Sequence, residues 1–353
     1  MCVNRFRVPV CSVAPMARIG VIGAGAFGTA MACVLRRSGH EVAIWAREPE
    51  VAAWINEDGL NPLYLRGVRL VPGIRAASDI GEAARGADFL LLAPPAQHMR
   101  EVTARLRPFV KAGTPLVSCS KGIERGTCKL MSQVIAETLP GSPVAVQSGP
   151  SFANEVASDL PAAVTLACAD AALGERLAQA IQNPRFLLYL SDDVIGAHLG
   201  GVLKNVLAIA CGIATGMKLG ANARAMLVAR GLAETARLGI AMGARLETFL
   251  GLSGIGDIDL SCNSANSRNM SLGIALGEGR KLAEVLGERV TVQEGVHSAE
   301  GVAALARRHG VEMPIAEAVD RMLNHGAALE ETIARLLAHP YPSEVDICQL
   351  AAR

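Results

Sequence analysis

Two patterns of apolar and polar positions succeed one another along the chain. From Arg18 onward, short apolar runs recur at Arg18–Ile22, His40–Trp45, Ala87–Ala93, Thr114–Ser120 and Val144–Gln147. Each ends in glycine, proline or polar residues, and helical spacing follows several of them, as from about His98 to Leu106. Runs that are apolar on both faces and separated by helices predict a buried parallel sheet. After Ser191-Asp192-Asp193 the period changes. Ile195–Gly212, Asn222–Met242, Ala283–Leu286, Ser298–Arg308 and Ile315–Leu323 read mostly as helices, with few strand signals between them.

The first run leads into Gly23-Ala24-Gly25-Ala26-Phe27-Gly28 and then the small residues Thr29 to Ala32. A strand that enters a glycine turn and opens a helix presents free N–H groups to a pyrophosphate. Gly23 allows the turn, Gly25 keeps a side chain out of the phosphate path, and Gly28 lets helix and strand approach. The second strand follows at the expected spacing of about 20 residues. It ends at Arg47, where an acid would read the ribose hydroxyls of NAD and an arginine can pair with the 2′-phosphate of NADP. Glu48 and Glu50 follow and could turn back. Either NADP or NAD is therefore accommodated, with NADPH favoured by Arg47.

The fold expected is an α/β Rossmann-like N-terminal domain with a predominantly α-helical C-terminal domain. Residues 1–16 read as a disordered extension, 17–195 as the NAD(P)-binding domain, 196–340 as a helical substrate-binding domain and 341–353 as a tail. Met16 is an alternative start.

Composition narrows the partners. The 353 residues carry 34 Lys and Arg against 33 Asp and Glu, so a net charge of +1 gives no bulk reason to expect nucleic acid. Aromatics are 3%, which leaves Ala, Val, Leu and Ile to build the core. Nine scattered cysteines suggest neither a disulfide framework nor a zinc site, and the histidines have no metal-ligand spacing. The longest weakly polar stretch, Val206 to Met217, falls short of the roughly 20 residues of a membrane span, and the N-terminus lacks a secretory apolar core.

Chemistry-bearing side chains collect at a few places. Lys121 stands just past one predicted strand, and Ser148-Gly149-Pro150-Ser151 past another, where open α/β sheets bind ligands. In Gly200-Gly201-Val-Leu-Lys204-Asn205 a lysine and an asparagine sit among small and apolar residues, so they must reach solvent or satisfy each other and a ligand. Gly200, one turn before Lys204, clears space on the same face. Three glycines lead into Asp257, and Ser267, Arg268 and Asn269 offer hydroxyl, guanidinium and amide donors to a phosphate. A snorkelling lysine and a helix cap with an exposed arginine are the plainer readings of the same residues.

Taken together, GAGAFGTA, SKGIE, SGPSFANEVA, GGVLKNVLAIACG, ANARAMLVARGLAE, GLSGIGDIDLSCNSANSRN and VQEG resemble the bacterial NAD(P)-dependent glycerol-3-phosphate dehydrogenase family, from Arg18 to about Leu337. The resemblance implies a cytoplasmic homodimer that reduces dihydroxyacetone phosphate to sn-glycerol 3-phosphate for phospholipid synthesis, reversibly. It implies Lys204 as proton donor and acceptor, Lys121 beside substrate and nicotinamide, and Asp257 as the group that orients Lys204 or substrate hydroxyls. Gly149, Ser151, Asn205, Ser261, Ser267, Arg268 and Asn269 match substrate positions, with Ser261 where relatives usually carry Thr. Gly23, Gly25, Ala26, Phe27, Gly28, Arg47, Lys121, Ala153, Arg268, Val292 and Glu294 match cofactor positions. His198 departs from a glutamate common in relatives, which leaves either an altered pH response or a local packing role.

An ammonium at Lys204 suits ketone reduction, because negative charge develops on the carbonyl oxygen as hydride arrives, a role worth roughly 100- to 10,000-fold. No metal is required. Two other readings use parts of the same pattern. One is a two-domain dehydrogenase for a hydroxy acid or a nucleotide sugar, the latter with Cys262 as nucleophile. The other is a noncatalytic NAD(P)-binding regulator.

Overall fold

The computed structural model describes residues 15–288 and 293–338. The chain forms two compact units: residues up to Ser120 with Met131–Val194, and Lys121–Leu130 with the chain from Ile195 onward. The segment 121–130 thus groups with the helical unit, although it lies inside the 17–195 range expected for the first domain. Ile123 and Leu130 bridge to each other and are buried with α-helical core residues, which is why this stretch leaves the sheet's unit. The extension expected over residues 1–14 and the tail expected toward the C-terminus, within 339–353, lie outside the described residues.

The strands of the first unit are β1 (Arg18–Ile22), β2 (Glu41–Trp45), β3 (Leu60–Asn61), β4 (Leu65–Arg69), β5 (Ile74–Ala77), β6 (Phe89–Leu92), β7 (Leu116–Ser118), β8 (Val144–Ser148), β9 (Ala162–Cys168) and β10 (Phe186–Ser191). Eight form one sheet in the order β10-β9-β8-β7-β6-β1-β2-β5, and β3 and β4 form an antiparallel hairpin. All neighbours in the large sheet are parallel except β8 and β9. The central strands β1 and β6 are almost wholly buried, as the uninterrupted apolar runs require. The helices of this unit are α1 (Ala26–Arg37), α2 (Pro49–Glu57), α3 (Ile80–Ala84), α4 (Met99–Leu106), α5 (Met131–Thr138), α6 (Ala153–Ala157) and α7 (Ala171–Ile181). A parallel-dominated sheet flanked by helices, with the order reversing at β1, is a Rossmann-like arrangement.

The second unit is helical. It contains α8 (Val194–Gly216), α9 (Gly220–Ala241), α10 (Leu246–Phe249), a π-helical turn (Leu252–Gly256), α11 (Asp257–Cys262), α12 (Arg268–Gly277), α13 (Leu282–Gly287), α14 (Glu294–His309), α15 (Pro314–Asn324) and α16 (Leu329–Ala338). Its centre is α8, buried from Gly196 to Leu203 and from Asn205 to Ala214.

One expectation needs correction here. The apolar run was expected to be too short for a membrane span, but α8 has 23 residues and is long and apolar enough by length and composition. The run continues through Lys204, a single charge paired with a buried carboxylate. Inside the protein 83% of its most apolar window is buried, so α8 is a core helix that passes the same test as a span.

Candidate active site

The glycine turn lies between β1 and α1. Gly23 has φ +115°, a value L side chains rarely adopt, and its N–H donates to Trp45 O at the end of β2. A Cβ on Gly28 would overlap the carbonyl of Gly23, so that glycine allows the close approach of helix and turn. A Cβ on Gly25 would meet nothing within 4 Å, which leaves open space before the helix. Gly25 is the N-cap of α1; no side chain caps it, and the first turn holds no acidic residue. The free amides and the helix dipole there fit the pyrophosphate of a dinucleotide. Ala26 and Phe27, the first two residues of α1, are half-buried.

Asn61, unremarked in the sequence, fixes this turn. Its amide donates to Ala24 O and to Thr29 Oγ1, both at 2.8 Å, and its Oδ1 accepts the Tyr64 N–H. A lone Asn in a short hairpin gives no periodic signal, so only the fold reveals it. Arg47, just beyond β2, is exposed and donates to Glu48 rather than standing alone. Past β8, Gly149 has φ +140° and its carbonyl accepts from Ser151 Oγ at 3.0 Å. Ala153 opens α6.

The second unit gathers three charges. Asp257 has no solvent exposure, and its two oxygens are divided between two ammonium groups: Lys204 Nζ at 2.6 Å from Oδ1, and Lys121 Nζ at 2.5 Å from Oδ2. Lys204 comes from α8, Asp257 begins α11, and Lys121 comes from the segment after β7. Burial pushes the Lys121 ammonium down to about 8, Asp257 opposing and Lys204 adding to the shift. One carboxylate against two ammoniums leaves an excess positive charge, partly shielded from water, where a developing oxyanion would be stabilised.

Lys204 and Asn205 do not pair, although one option was that they satisfy each other. Successive helical positions point in different directions. Asn205 instead donates to Lys121 O at 3.3 Å and accepts from Asn269 Nδ2 at 2.9 Å. Asn269 Oδ1 accepts the Gly295 N–H at 3.3 Å, so the two amides link α8, α12 and the start of α14. Ser267 caps α12, its oxygen accepting from Met270 N–H at 3.3 Å. Arg268, the first residue of α12, is exposed by surface area, yet crowding of its guanidinium by neighbouring atoms lowers its pKa, against the opposing charge of Glu294. Ser261 is buried on α11, one turn after Asp257. Val292 lies outside the described residues.

Two other side chains are placed away from such chemistry. His198 is fully buried, and desolvation takes it to about 4, so its imidazole is neutral at physiological pH and does not titrate there. Cys262 has no solvent exposure; a hydrogen bond with Cys211 and burial both push its thiol well up, opposite to an activated nucleophile.

Comparisons with known proteins agree along most of the chain. Residues 18–174 match the model of the NAD-dependent glycerol-3-phosphate dehydrogenase N-terminus, and 193–334 match that of its C-terminus. The glycerol-3-phosphate dehydrogenase [NAD(P)+] of Parvibaculum lavamentivorans is 55% identical over 93% of this chain and 98% of its own. That of Caulobacter vibrioides is 53% identical with the same coverage. The crystal structure of glycerol-3-phosphate dehydrogenase from Coxiella burnetii is 38% identical, with a TM-score of 0.88 over 92% of this chain and 99% of that one. With both family models matched in order and together spanning most of the sequence, the chain belongs to the NAD-dependent glycerol-3-phosphate dehydrogenase family.

Proposed function

We propose that this NAD(P)-dependent oxidoreductase interconverts dihydroxyacetone phosphate and sn-glycerol 3-phosphate, with Lys204 as general acid in reduction and general base in oxidation. The observation that carries the reading is the buried Asp257 carboxylate shared by Lys204 and Lys121. A lone snorkelling lysine needs no such partner, and a binding regulator has no use for a pair of oriented ammonium groups.

The nicotinamide, when bound, supplies or accepts the hydride at the substrate C2. The residues of the chain do the rest. The amides that open α1 hold the pyrophosphate, helped by Gly23, Gly25 and Gly28, and Phe27, Arg47, Ala153 and Glu294 serve the remaining cofactor contacts. Lys204 Nζ places a proton at the C2 oxygen as charge develops on it, while Asp257 fixes the position of that ammonium. Lys121, on the other carboxylate oxygen, adds positive potential beside the same atom.

Arg268 and Asn269 serve as phosphate anchors, with Ser267 and the α12 N-terminus; anchoring the remote group orients the carbonyl. Asn205 and Asn269 hold Lys121's backbone and the α12 start in register, and Gly149, Ser151 and Ser261 complete the substrate contacts. In this reading reduction of dihydroxyacetone phosphate serves glycerophospholipid synthesis in a cytoplasmic homodimer, as the family resemblance implies, and the reverse oxidation is open to the same residues.

The test is initial-rate oxidation of NADPH and NADH by the purified protein with dihydroxyacetone phosphate and, side by side, dihydroxyacetone. Turnover that depends on the phosphate supports the assignment. Equal turnover of the two ketones, or none with folded dinucleotide-binding protein, contradicts it.

A further inference from the structure

Three side chains beyond β2, Arg47, Glu48 and Tyr64, form a network, and Glu48 and Tyr64 have no part in the proposed chemistry. Glu48 is the N-cap residue of α2, yet its side chain makes no cap bond; it turns back toward the preceding residue. Its Oε1 accepts from Arg47 Nε at 3.0 Å, Arg47 Nη2 at 2.6 Å and Tyr64 Oη at 3.1 Å. All three bonds converge on Oε1, and none of them uses Oε2 or Arg47 Nη1. Burial raises the Glu48 carboxyl, but the bonds from Arg47 and Tyr64 outweigh it and hold the group below its ordinary range, so it is ionised at neutral pH.

Tyr64 is itself held in place. Its N–H donates to Asn61 Oδ1, and Asn61 is bonded to the glycine turn through Ala24 O and Thr29 Oγ1. A chain of hydrogen bonds therefore runs from the turn that would cradle the pyrophosphate to the Arg47–Glu48 pair just beyond β2. The position of Glu48 follows from that chain as well as from its exposed neighbour.

We propose that Glu48 is a specificity-determining residue: it restrains and neutralises Arg47 on one carboxylate oxygen while offering the other to the 2′-hydroxyl of NAD(H). The pair then reads both dinucleotides. A 2′-phosphate meets Arg47 Nη1 but also the adjacent carboxylate, which repels it, whereas a 2′-hydroxyl donates to Glu48 Oε2. An unpartnered arginine at this place would favour NADP strongly; the carboxylate moderates that preference. This inference rests on the dinucleotide reading of the first unit.

The experiment titrates NADPH and NADH by fluorescence against wild type, Glu48→Gln, Tyr64→Phe, Arg47→Ala and the Arg47→Ala/Glu48→Gln double variant, with kcat/KM for both cofactors alongside. Glu48→Gln is expected to raise the NADPH:NADH affinity ratio by roughly three- to tenfold, the scale of a part-exposed charge interaction. Tyr64→Phe shifts the ratio the same way by less. In the Arg47→Ala background the gain for NADPH disappears while the loss for NADH remains. An unchanged ratio in Glu48→Gln, or equal weakening of both dinucleotides, overturns the proposal, the second because a merely structural role would do that. Wild type binding neither dinucleotide overturns it together with the cofactor reading. Binding of both without turnover of dihydroxyacetone phosphate defeats only the substrate assignment, and the affinity ratio still decides the role of Glu48.

Discussion

Lys204 and Asp257 meet at 2.6 Å across 53 residues of sequence, and the carboxylate that receives Lys204 on one oxygen receives Lys121 on the other. The pair is within a single unit, so it is formed before any ligand arrives. Lys204→Ala removes the acid and leaves the glycine turn of the other unit untouched. Turnover should fall about 100- to 10,000-fold with dinucleotide affinity unchanged. Single-turnover kinetics measures this; a rate equal to wild type would remove Lys204 from the chemistry.

Asp257→Asn keeps the shape of the side chain and removes its charge. Two ammonium groups would then face each other across a neutral amide, so one of them loses its proton more readily. We expect kcat to fall at least tenfold and the alkaline limb of the pH profile to move to lower pH. Unchanged pH dependence in the variant would show that the carboxylate does not govern the lysines.

The Lys121 value of about 8 has two consequences of opposite sign. Its ammonium is lost as pH rises through 8, so kcat/KM for the phosphorylated ketone should decline above that pH. The folded pKa lies below the ordinary 10.5, so between about 8 and 10.5 the unfolded chain binds more protons and this group's contribution to stability rises with pH. Lys121→Met should abolish both trends; urea midpoints and rates taken over the same pH series would test them together.

Glu234 on α9 caps a different helix. Its oxygens accept from Ile315 N–H at 2.9 Å and 3.2 Å and from Ala316 N–H at 3.4 Å, supplying the start of α15 where no local side chain does. Burial raises its carboxyl to about 7, so the folded state holds a proton that the unfolded state releases from 4.5 upward. Stability from this group is therefore present below 4.5 and lost as pH rises through 7, by on the order of 3 kcal/mol. Glu234→Gln should flatten that slope, and Glu234→Ala should cost about 1–3 kcal/mol at pH 5 by stranding two amides. Denaturant melts at pH 5 and 8 distinguish these outcomes.

Gly200 packs where a Cβ would overlap the carbonyl of Ser253, in the π-helical turn that leads into Asp257. Gly200→Ala must push that turn away from α8 and so displace Asp257 from Lys204. We expect kcat to fall tenfold or more with a smaller change in KM, since the misplacement is at the proton donor. A variant that folds with wild-type kcat would show that the turn yields without moving the carboxylate.

Much of this protein was legible in its sequence because local physics wrote it there. Buried strands must be apolar, a phosphate turn must shed side chains, and an uncharged helical core must explain any lysine it contains, so β1, the glycine turn and Lys204 stand out in the chain. Even the face that Gly200 clears follows from the helical repeat. Sharing of Asp257 by two lysines could not be read that way, since 136 residues separate Lys121 from it and no spacing rule spans such a distance. Nor could the choice between Glu48 and Glu50 as the acid that turns back, the hold of Asn61 on the glycine loop, or the grouping of 121–130 with the helical unit. Sequence determined which residues must be buried and which must bond; tertiary structure alone chose their partners, because a hydrogen bond or an ion pair depends on distance in space rather than along the chain.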